Sequence, residues 1–531
     1  MLGTRSPQGD MFTPEHRLRK KVGEKSFYVF LSDHRHELFK DEDFSMLYCT
    51  NNGRPSVAPS LLAVGLLLQT FTHATDQEAA DSAKYDQRWQ LALGVKDDEV
   101  PFAKSTLCVF RSQLIIHDQA KLIFMKGLEH LRTHGFFKRD KITVALDTTP
   151  IFGKGAVQDT YNMLAECVYQ IIRVLSSIES QTPEAYASRV DLSRYVGSSF
   201  KASHPIDWSD ENEKKLVLDS LVTDCRRVLS LASKQLATLP SDSAEAQRIN
   251  KSTDVLNKIL VQDITVSDAN VSELIDGVAR DRIVSVHDSE MRHGRKSASQ
   301  RFNGYKASIA VDTETQIIAD IDVLPANAHD SSDAPQLILG AAENLNVDVE
   351  TVLGDGAYGT AEARLDAIEN GYEIVATVGR APRTGRFTKE DFTIDLENNR
   401  VSCPNNESTD VWCQTKKQTM RGKTFIHKLF RFSDKQCREC PLRDRCVKTT
   451  TKFRTILVHE EEAIMQQAKQ FQRTDLFRTL YHKRVVVEHR IARLVHLGIR
   501  KARYFGSKKV QFQLAMAAAV ANLTIFVAMA G

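Results

Sequence analysis

Residues 141–150 read KITVALDTTP, and the fold turns on how that stretch is read. The run ITVAL is rich in β-branched residues and predicts a buried strand that ends in Asp147, with Thr148, Thr149 and Pro150 closing it. A second run, ETVLG at 350–354, delivers Asp355 into the turn Gly354-Asp355-Gly356, ahead of a helical stretch at 360–371. A carboxylate at the end of a buried strand projects into the crevice where α/β sheets bind ligands. A third carboxylate, Glu488, lies in a segment of helical spacing at 475–496. There Tyr481, Arg484 and Glu488 fall three and four residues apart and share one face, beside an apolar stripe of Leu480, Val487, Ile491 and Leu494.

Mg²⁺ and Mn²⁺ prefer hard oxygen ligands, and Mg²⁺ keeps several of its waters. Asp147, Asp355 and Glu488 are therefore a donor set for two such ions, with positions left for phosphate oxygens and water. Two ions stabilise both the attacking and the leaving oxygen of an in-line displacement at phosphorus. Arg484, one turn from Glu488, suits a backbone phosphate. Tyr481 can offer a hydroxyl to the same phosphate or pack beneath the bases. Each acid also has a plainer reading, since an Asp before a turn is often a turn former and a Glu on a basic helix is often half of a surface pair.

Taken together and in order, Asp147 in ALDTTP, Asp355 in DGAYG and Tyr481-x-x-Arg484-x-x-x-Glu488 resemble the three acidic motifs of bacterial insertion-sequence DDE transposases. The nearest likeness is the group whose third motif reads Tyr-x-x-Arg-x-x-x-Glu. GYKASIAVD at 304–312 and LPANAHDSSDA at 324–334 resemble that group's second strand and the turn after its third. The resemblance implies a ribonuclease-H-like mixed α/β sheet and metal-dependent cleavage of element ends. It further implies joining of the 3′-hydroxyls to target DNA. The partners it implies are double-stranded DNA, as terminal inverted repeats and target, and a second copy of the chain in a homodimer on that DNA. The family places a Lys seven residues after the Glu, where this chain has Val495; Arg490, Arg493 and His496 are the cations at hand.

The composition is compatible with this reading. At 531 residues the chain exceeds one small core and predicts two to four domains. The net charge of +3 conceals an asymmetry: residues 481–509 hold nine Lys or Arg and one acid, Glu488. Residues 292–301 are basic too, and Arg292, Arg295 and Lys296 are candidate DNA contacts, as is Arg493. Basic stretches around a metal centre suit a phosphodiester polymer better than a small neutral substrate. In the same loop, His287, Asp288, Glu290 and His293 read as part of a DNA-contacting segment rather than a metal site. The opening MLGTRSPQGD has no apolar run of a signal peptide, and nine Cys without secretory features point to a reducing, cytoplasmic compartment, on the nucleoid when DNA is bound. The apolar stretch at 514–531 is interrupted by Asn522 and Thr524 and predicts a buried closing helix, not a membrane span.

Along the chain, residues 1–135 predict a helical N-terminal domain, which the resemblance makes a DNA-binding one and which the residues alone read equally as a plain helical bundle. Within it, two helices flank LGVKDDEVPFAKS in a helix-turn-helix manner, with Arg111 facing outward. Residues 138–531 predict the catalytic domain, interrupted by a helical insert at 157–280 and a Cys-rich insert at 381–459. Cys403, Cys437, Cys440 and Cys446 have the spacing of a structural four-thiolate Zn²⁺ site, with Cys413 and His427 as alternative ligands. His329, just after a strand, is a candidate neighbour of the metals, and Asp330 or Ser332 a candidate helix cap. Two further readings stay open: a nuclease of the same fold without strand transfer, and a transposase-derived DNA-binding protein that no longer cuts.

Overall fold

A computed structural model describes residues 15–49, 54–96, 98–197, 200–204, 206–267, 271–297, 299–379, 385–419 and 423–530. The opening MLGTRSPQGD and the expected start of the second insert at 381 lie outside them. The architecture is mixed α/β. Its central sheet has six strands: β1 (Lys141–Phe152), β2 (Arg292–Arg295), β3 (Arg301–Asp312), β4 (Ile318–Pro325), β5 (Asp348–Gly354) and β6 (Glu373–Ala376). β1 lies between antiparallel β3 and parallel β5. β6 continues the sheet parallel to β5, and β2 and β4 both pair antiparallel with β3.

β1 does not end at Asp147. It runs on to Phe152, because its antiparallel partner continues alongside it, pairing Pro150 with Lys306 and Phe152 with Gly304. The parallel partner stops pairing at Ala145 with Leu353. Asp147 therefore sits where β1 has lost one neighbour and kept the other. Beyond it, the vacated side of β1 is taken by a later segment: the Phe152 N–H donates to the Arg500 carbonyl (2.9 Å), and the Ala502 N–H to the Phe152 carbonyl (2.8 Å).

Among the described residues, seven α-helices and one 3-10 helix between Glu15 and Thr133 precede the sheet. They are not packed apart from it. Leu62 and Leu66 on helix Pro59–Thr72, Phe124 and Leu128 on helix Leu122–Thr133, and Ile309 and Ile321 on the sheet belong to one apolar core. The closing helix Ser507–Ala530 runs through that core, with Leu514, Ala518, Ala521 and Leu523 fully buried. A helix apolar all round belongs in a protein core or a membrane. This one is long and apolar enough to cross a membrane, and most of it is buried against helices Pro59–Thr72 and Leu122–Thr133 and strand β4.

Arg111 does not face outward. It is buried, with Nη1 and Nη2 donating to the Asp76 carboxylate at 3.0 and 2.7 Å. A bidentate carboxylate compensates the desolvated guanidinium and holds helix Lys104–Ile116 against helix Asp76–Tyr85.

Between β1 and β2 the chain leaves the sheet for helices Thr160–Ile178, Pro183–Arg189, Glu211–Leu236 and Ala244–Asp263, which enclose a second core around Val168, Ile172, Val222, Leu256 and Ile259. After β6 come two small three-stranded sheets, with Thr393–Asp395, Arg400–Ser402 and Ser408–Thr409 in one and Trp412–Gln418, Thr424–Arg431 and Thr455–His459 in the other. Their core is Phe392, Val401, Phe430, Phe432, Ile456 and Val458, together with Cys437 and Cys446.

Candidate active site

The parallel register brings the first two acids level. Asp147 and Asp355 each lie two residues beyond the Ala145–Leu353 pair, on adjacent strands. Gly354 ends β5, and Asp355 opens the turn that follows, its Oδ1 accepting the Ala357 N–H at 2.8 Å. A side chain at Gly354 would strike Tyr358, with a Cβ only 2.5 Å from the tyrosine Cβ, so the turn closes tightly only with glycine there.

The third acid arrives from the C-terminal side. The single helix expected over 475–496 is instead two, Asp475–His482 and Val485–Leu494. The join at Lys483 and Arg484 keeps helical backbone angles but takes the tighter i to i+3 hydrogen bonds, Arg484 N–H to the Tyr481 carbonyl (3.0 Å) and Val487 N–H to the Arg484 carbonyl (3.0 Å). Arg484 itself links the acids. Its Nη2 donates to Asp147 Oδ2 at 2.7 Å and its Nη1 to Glu488 Oε1 at 3.0 Å. Asp355 adds its charge to the field on both Asp147 and Arg484. Tyr481 stacks on Phe477, ring centroids 5.3 Å apart, against the main core.

Burial raises the Asp147 carboxyl to about 6, and this outweighs the opposing pull of Arg484 and of the Thr148 N–H on its Oδ1. A buried carboxylate of this kind wants a cation beside it. Asp355 Oδ2 and Glu488 Oε2 have no hydrogen-bond partner among the described residues. Three hard-oxygen donors from three elements, two of them with an open oxygen, fit divalent cations such as Mg²⁺.

Behind the acids lies a polar layer that sequence reasoning missed. Asp330 Oδ1 accepts from Thr148 Oγ1 (2.8 Å) and from Lys306 Nζ (2.7 Å), and Lys306 also reaches the Ala328 carbonyl (2.7 Å). Lys306 is buried in β3. A lysine in the middle of a run such as GYKASIAVD is rarely buried without a partner, and that anomaly was the available signal. The Tyr358 hydroxyl is buried without a partner, and its acidity is suppressed first by burial and then by Asp147, Asp333, Asp330 and Asp355. His329 is turned aside, its Nδ1 against Ser331 Oγ at 2.9 Å, in a cavity shared with His427, His459 and Lys389.

Val495, at the position of the family's lysine, packs against the main core. Of the cations near it, Arg493 Nη1 meets His496 Nδ1 at 3.3 Å, and Arg490 has a buried Nε without a partner. Arg500 is committed to β1, donating to Thr149 Oγ1 (3.1 Å) and the Pro150 carbonyl (3.0 Å). Arg292 is spent internally on Asp281 and on the Ser289 and Met291 carbonyls, whereas Arg295 and Lys296 are exposed. Asp288 turns inward, and exposed Glu290 is engaged by the closing helix. Asp288 accepts the Tyr305 hydroxyl (2.5 Å), and Glu290 the N–H of Ser507 at the start of the closing helix (2.8 Å).

In the second small-sheet region, Cys437 and Cys446 are buried, Cys403 is packed beside them, and Cys440 lies close enough to act on both electrostatically. Cys437 Sγ accepts the Arg454 N–H and Cys440 Sγ the Leu442 N–H, each at 3.4 Å. Cys413 is exposed on strand Trp412–Gln418.

Two family models match the chain. One, described as a transposase DDE domain, covers residues 402–526, and so includes Glu488 and the four cysteines but neither Asp147 nor Asp355. The other, described as a transposase domain (DUF772), covers residues 16–113 of the helical N-terminal region. No curated protein matches the chain.

Proposed function

An insertion-sequence DDE transposase is what these two matches support, and we propose that this chain cuts the ends of its element and joins the freed 3′-hydroxyls to target DNA. The observation that carries the reading is the convergence of Asp147 and Asp355, level on adjacent parallel strands, with Glu488 held to Asp147 through Arg484. Three antiparallel strands followed by two parallel ones, with β1 in the middle, support a ribonuclease-H-like catalytic fold. On this reading residues 138–531 are the catalytic domain, interrupted at 157–280 and 381–459, and residues 1–135 bind DNA.

Asp147, Asp355 and Glu488 hold the metal ions in this reading. Two Mg²⁺ or Mn²⁺ ions, when bound, would activate the attacking oxygen and stabilise the leaving one. The chain's own part is positioning. Arg484 neutralises two of the acids and is the group placed to pass to a phosphate oxygen once cations take over that task. Asp330, supported by Lys306, holds the Thr148 hydroxyl, and the Thr148 N–H in turn orients Asp147. Tyr481, Arg493, Arg295 and Lys296 border the DNA path; Arg292, held by Asp281, is not free to join them, and His329 is turned aside from the acids. Cys403, Cys437, Cys440 and Cys446 hold a structural Zn²⁺, an assignment supported by the C-x-x-C spacing of Cys437 and Cys440, by the packing of Cys403 beside Cys437 and Cys446, and by the two N–H to sulfur contacts. Acting on two ends at once calls for a homodimer, working in the cytoplasm on nucleoid DNA.

The test is cleavage of a labelled terminal-repeat duplex. Asp147→Ala, Asp355→Ala and Glu488→Ala each abolish Mg²⁺-dependent cutting while gel-shift binding survives; wild-type cutting by any of them sinks the assignment. Joining of the cut ends to a target plasmid separates a transposase from a plain nuclease. The apolar packing of Val495 favours a second reading, a DNA-binding protein that does not cut, and wild-type binding without any metal-dependent product would establish that one.

A further inference from the structure

Among the described residues, one group of His, Cys, Asp or Glu side chains presents its ligand atoms all within 4.8 Å of one another, and it is remote in role from the acids: His34, Glu37, His130 and His134. Helix Phe27–Leu38 supplies His34 and Glu37, one turn apart, and helix Leu122–Thr133 with its cap supplies His130 and His134, four residues apart. Both spacings place the two donors of a pair on one helix face. The imidazoles cluster, with ring centroids 4.1 Å apart for His130 and His134, 4.9 Å for His34 and His130, and 5.4 Å for His34 and His134.

Two details turn a cluster of histidines into a binding site. His130 is only 3 % exposed, yet neither of its ring nitrogens has a hydrogen-bond partner. A buried imidazole left in that state forfeits its solvation for nothing, unless a nitrogen lone pair is meant for a ligand. His134 is oriented in the manner of a metal ligand: its Nδ1 lies 2.9 Å from the His130 carbonyl, which leaves Nε2 facing Glu37 Oε2 at 3.3 Å. Glu37 Oε2 also lies 3.2 Å from His34 Nδ1, so one carboxylate oxygen stands between two imidazoles. Phe526 of the closing helix stands edge-on to all three rings, with centroids 6.0 to 6.1 Å away, and gives the site an apolar wall.

We propose that His34, Glu37, His130 and His134 bind a zinc-class divalent cation, which staples the first helices of the chain to helix Leu122–Thr133 beneath the closing helix. Three imidazoles and one carboxylate are a four-coordinate set for Zn²⁺ and a poor one for Mg²⁺, which wants oxygen throughout. The site has no part in strand cleavage; its role is to fix the orientation of the helical N-terminal region on the sheet.

Cobalt(II) titration of the full-length, chelator-stripped protein tests this without any activity readout. The expected spectrum contains visible d–d bands of a tetrahedral nitrogen and oxygen site, distinct from the near-ultraviolet sulfur charge-transfer band that the cysteines would add. Glu37→Gln, at an exposed position that leaves folding intact, weakens that component by about tenfold or more. His34→Ala/His134→Ala removes it, together with the zinc-dependent rise in melting temperature, while any thiolate band remains. A wild-type protein showing no such component, or a Glu37→Gln protein with unchanged affinity and unchanged zinc-dependent melting, overturns the proposal. Neither result depends on whether the chain cuts DNA.

Discussion

Asp333 shows how costly a single buried carboxylate is in this sheet. It lies at the start of helix Ala334–Leu345, its Oδ1 3.2 Å from the Ser308 hydroxyl and its Oδ2 buried with no partner. Burial lifts its pKa to about 6; the Ser308 hydrogen bond works the other way, and Asp322 and Asp320 push it higher. In the unfolded chain the group titrates near 3.9. Between about pH 4 and pH 6 the folded state therefore holds a proton that the unfolded state has lost, and stability falls as pH rises through that window. Asp333→Asn removes the charge and keeps the shape. Above about pH 6 it is expected to gain roughly 2–3 kcal/mol, and its stability loses this pH slope. Urea unfolding on either side of the window measures both effects, and parallel pH profiles for the two proteins would contradict them.

At the level of elements, β3 is the strand on which the sheet depends, since it pairs with β1, β2 and β4. Gly304 makes that possible. Its φ of +148° is disfavoured for any residue with a side chain, and a Cβ there would fall 2.1 Å from the Ile151 carbonyl oxygen and 2.4 Å from the Gly153 nitrogen. These are backbone atoms, which cannot rotate away. Gly304→Ala is expected to cost at least about 3 kcal/mol, because it separates β3 from β1 a few residues beyond Asp147. Thermal unfolding checks this, and an unchanged melting temperature would mean that the close approach is not needed. The element types were legible beforehand: ITVAL, ETVLG and GYKASIAVD are strands, and the basic segment with Glu488 is helical. The extent of β1 was not, because Thr148-Thr149-Pro150 is a stop signal locally, overridden by an antiparallel neighbour that lies more than 150 residues away in sequence.

Across the whole molecule, the closing helix joins regions far apart in sequence. Asn522, fully buried, accepts the Ile318 N–H (2.9 Å) and donates to the Ile318 carbonyl (2.8 Å) at the start of β4. The polar residue that interrupts the apolar stretch thus covers an edge of the sheet. Asn522→Leu keeps the bulk and leaves a buried N–H and C=O without these partners, a loss of about 2–5 kcal/mol that chemical denaturation should register. The N-terminal helices join the same core, so the loss is expected as one cooperative transition rather than fraying of one region.

The sequence by itself determined the chemistry on offer: which residues are acids, that two of them follow apolar strands, that a third lies on a basic helix, and that a buried closing helix is interrupted by Asn522. Those features are local, and short-range spacing encodes them. Only the tertiary structure decided which groups meet. Arg484 reaches Asp147 across 337 residues of chain and ties it to Glu488 one turn on, Lys306 and Asp330 stand behind Thr148, Arg111 turns inward to Asp76, and four side chains from two helices form a candidate metal cage. Each of these depends on two distant segments being desolvated together, where a charge or a lone pair must find a partner, and no periodicity along the chain records which partner that is.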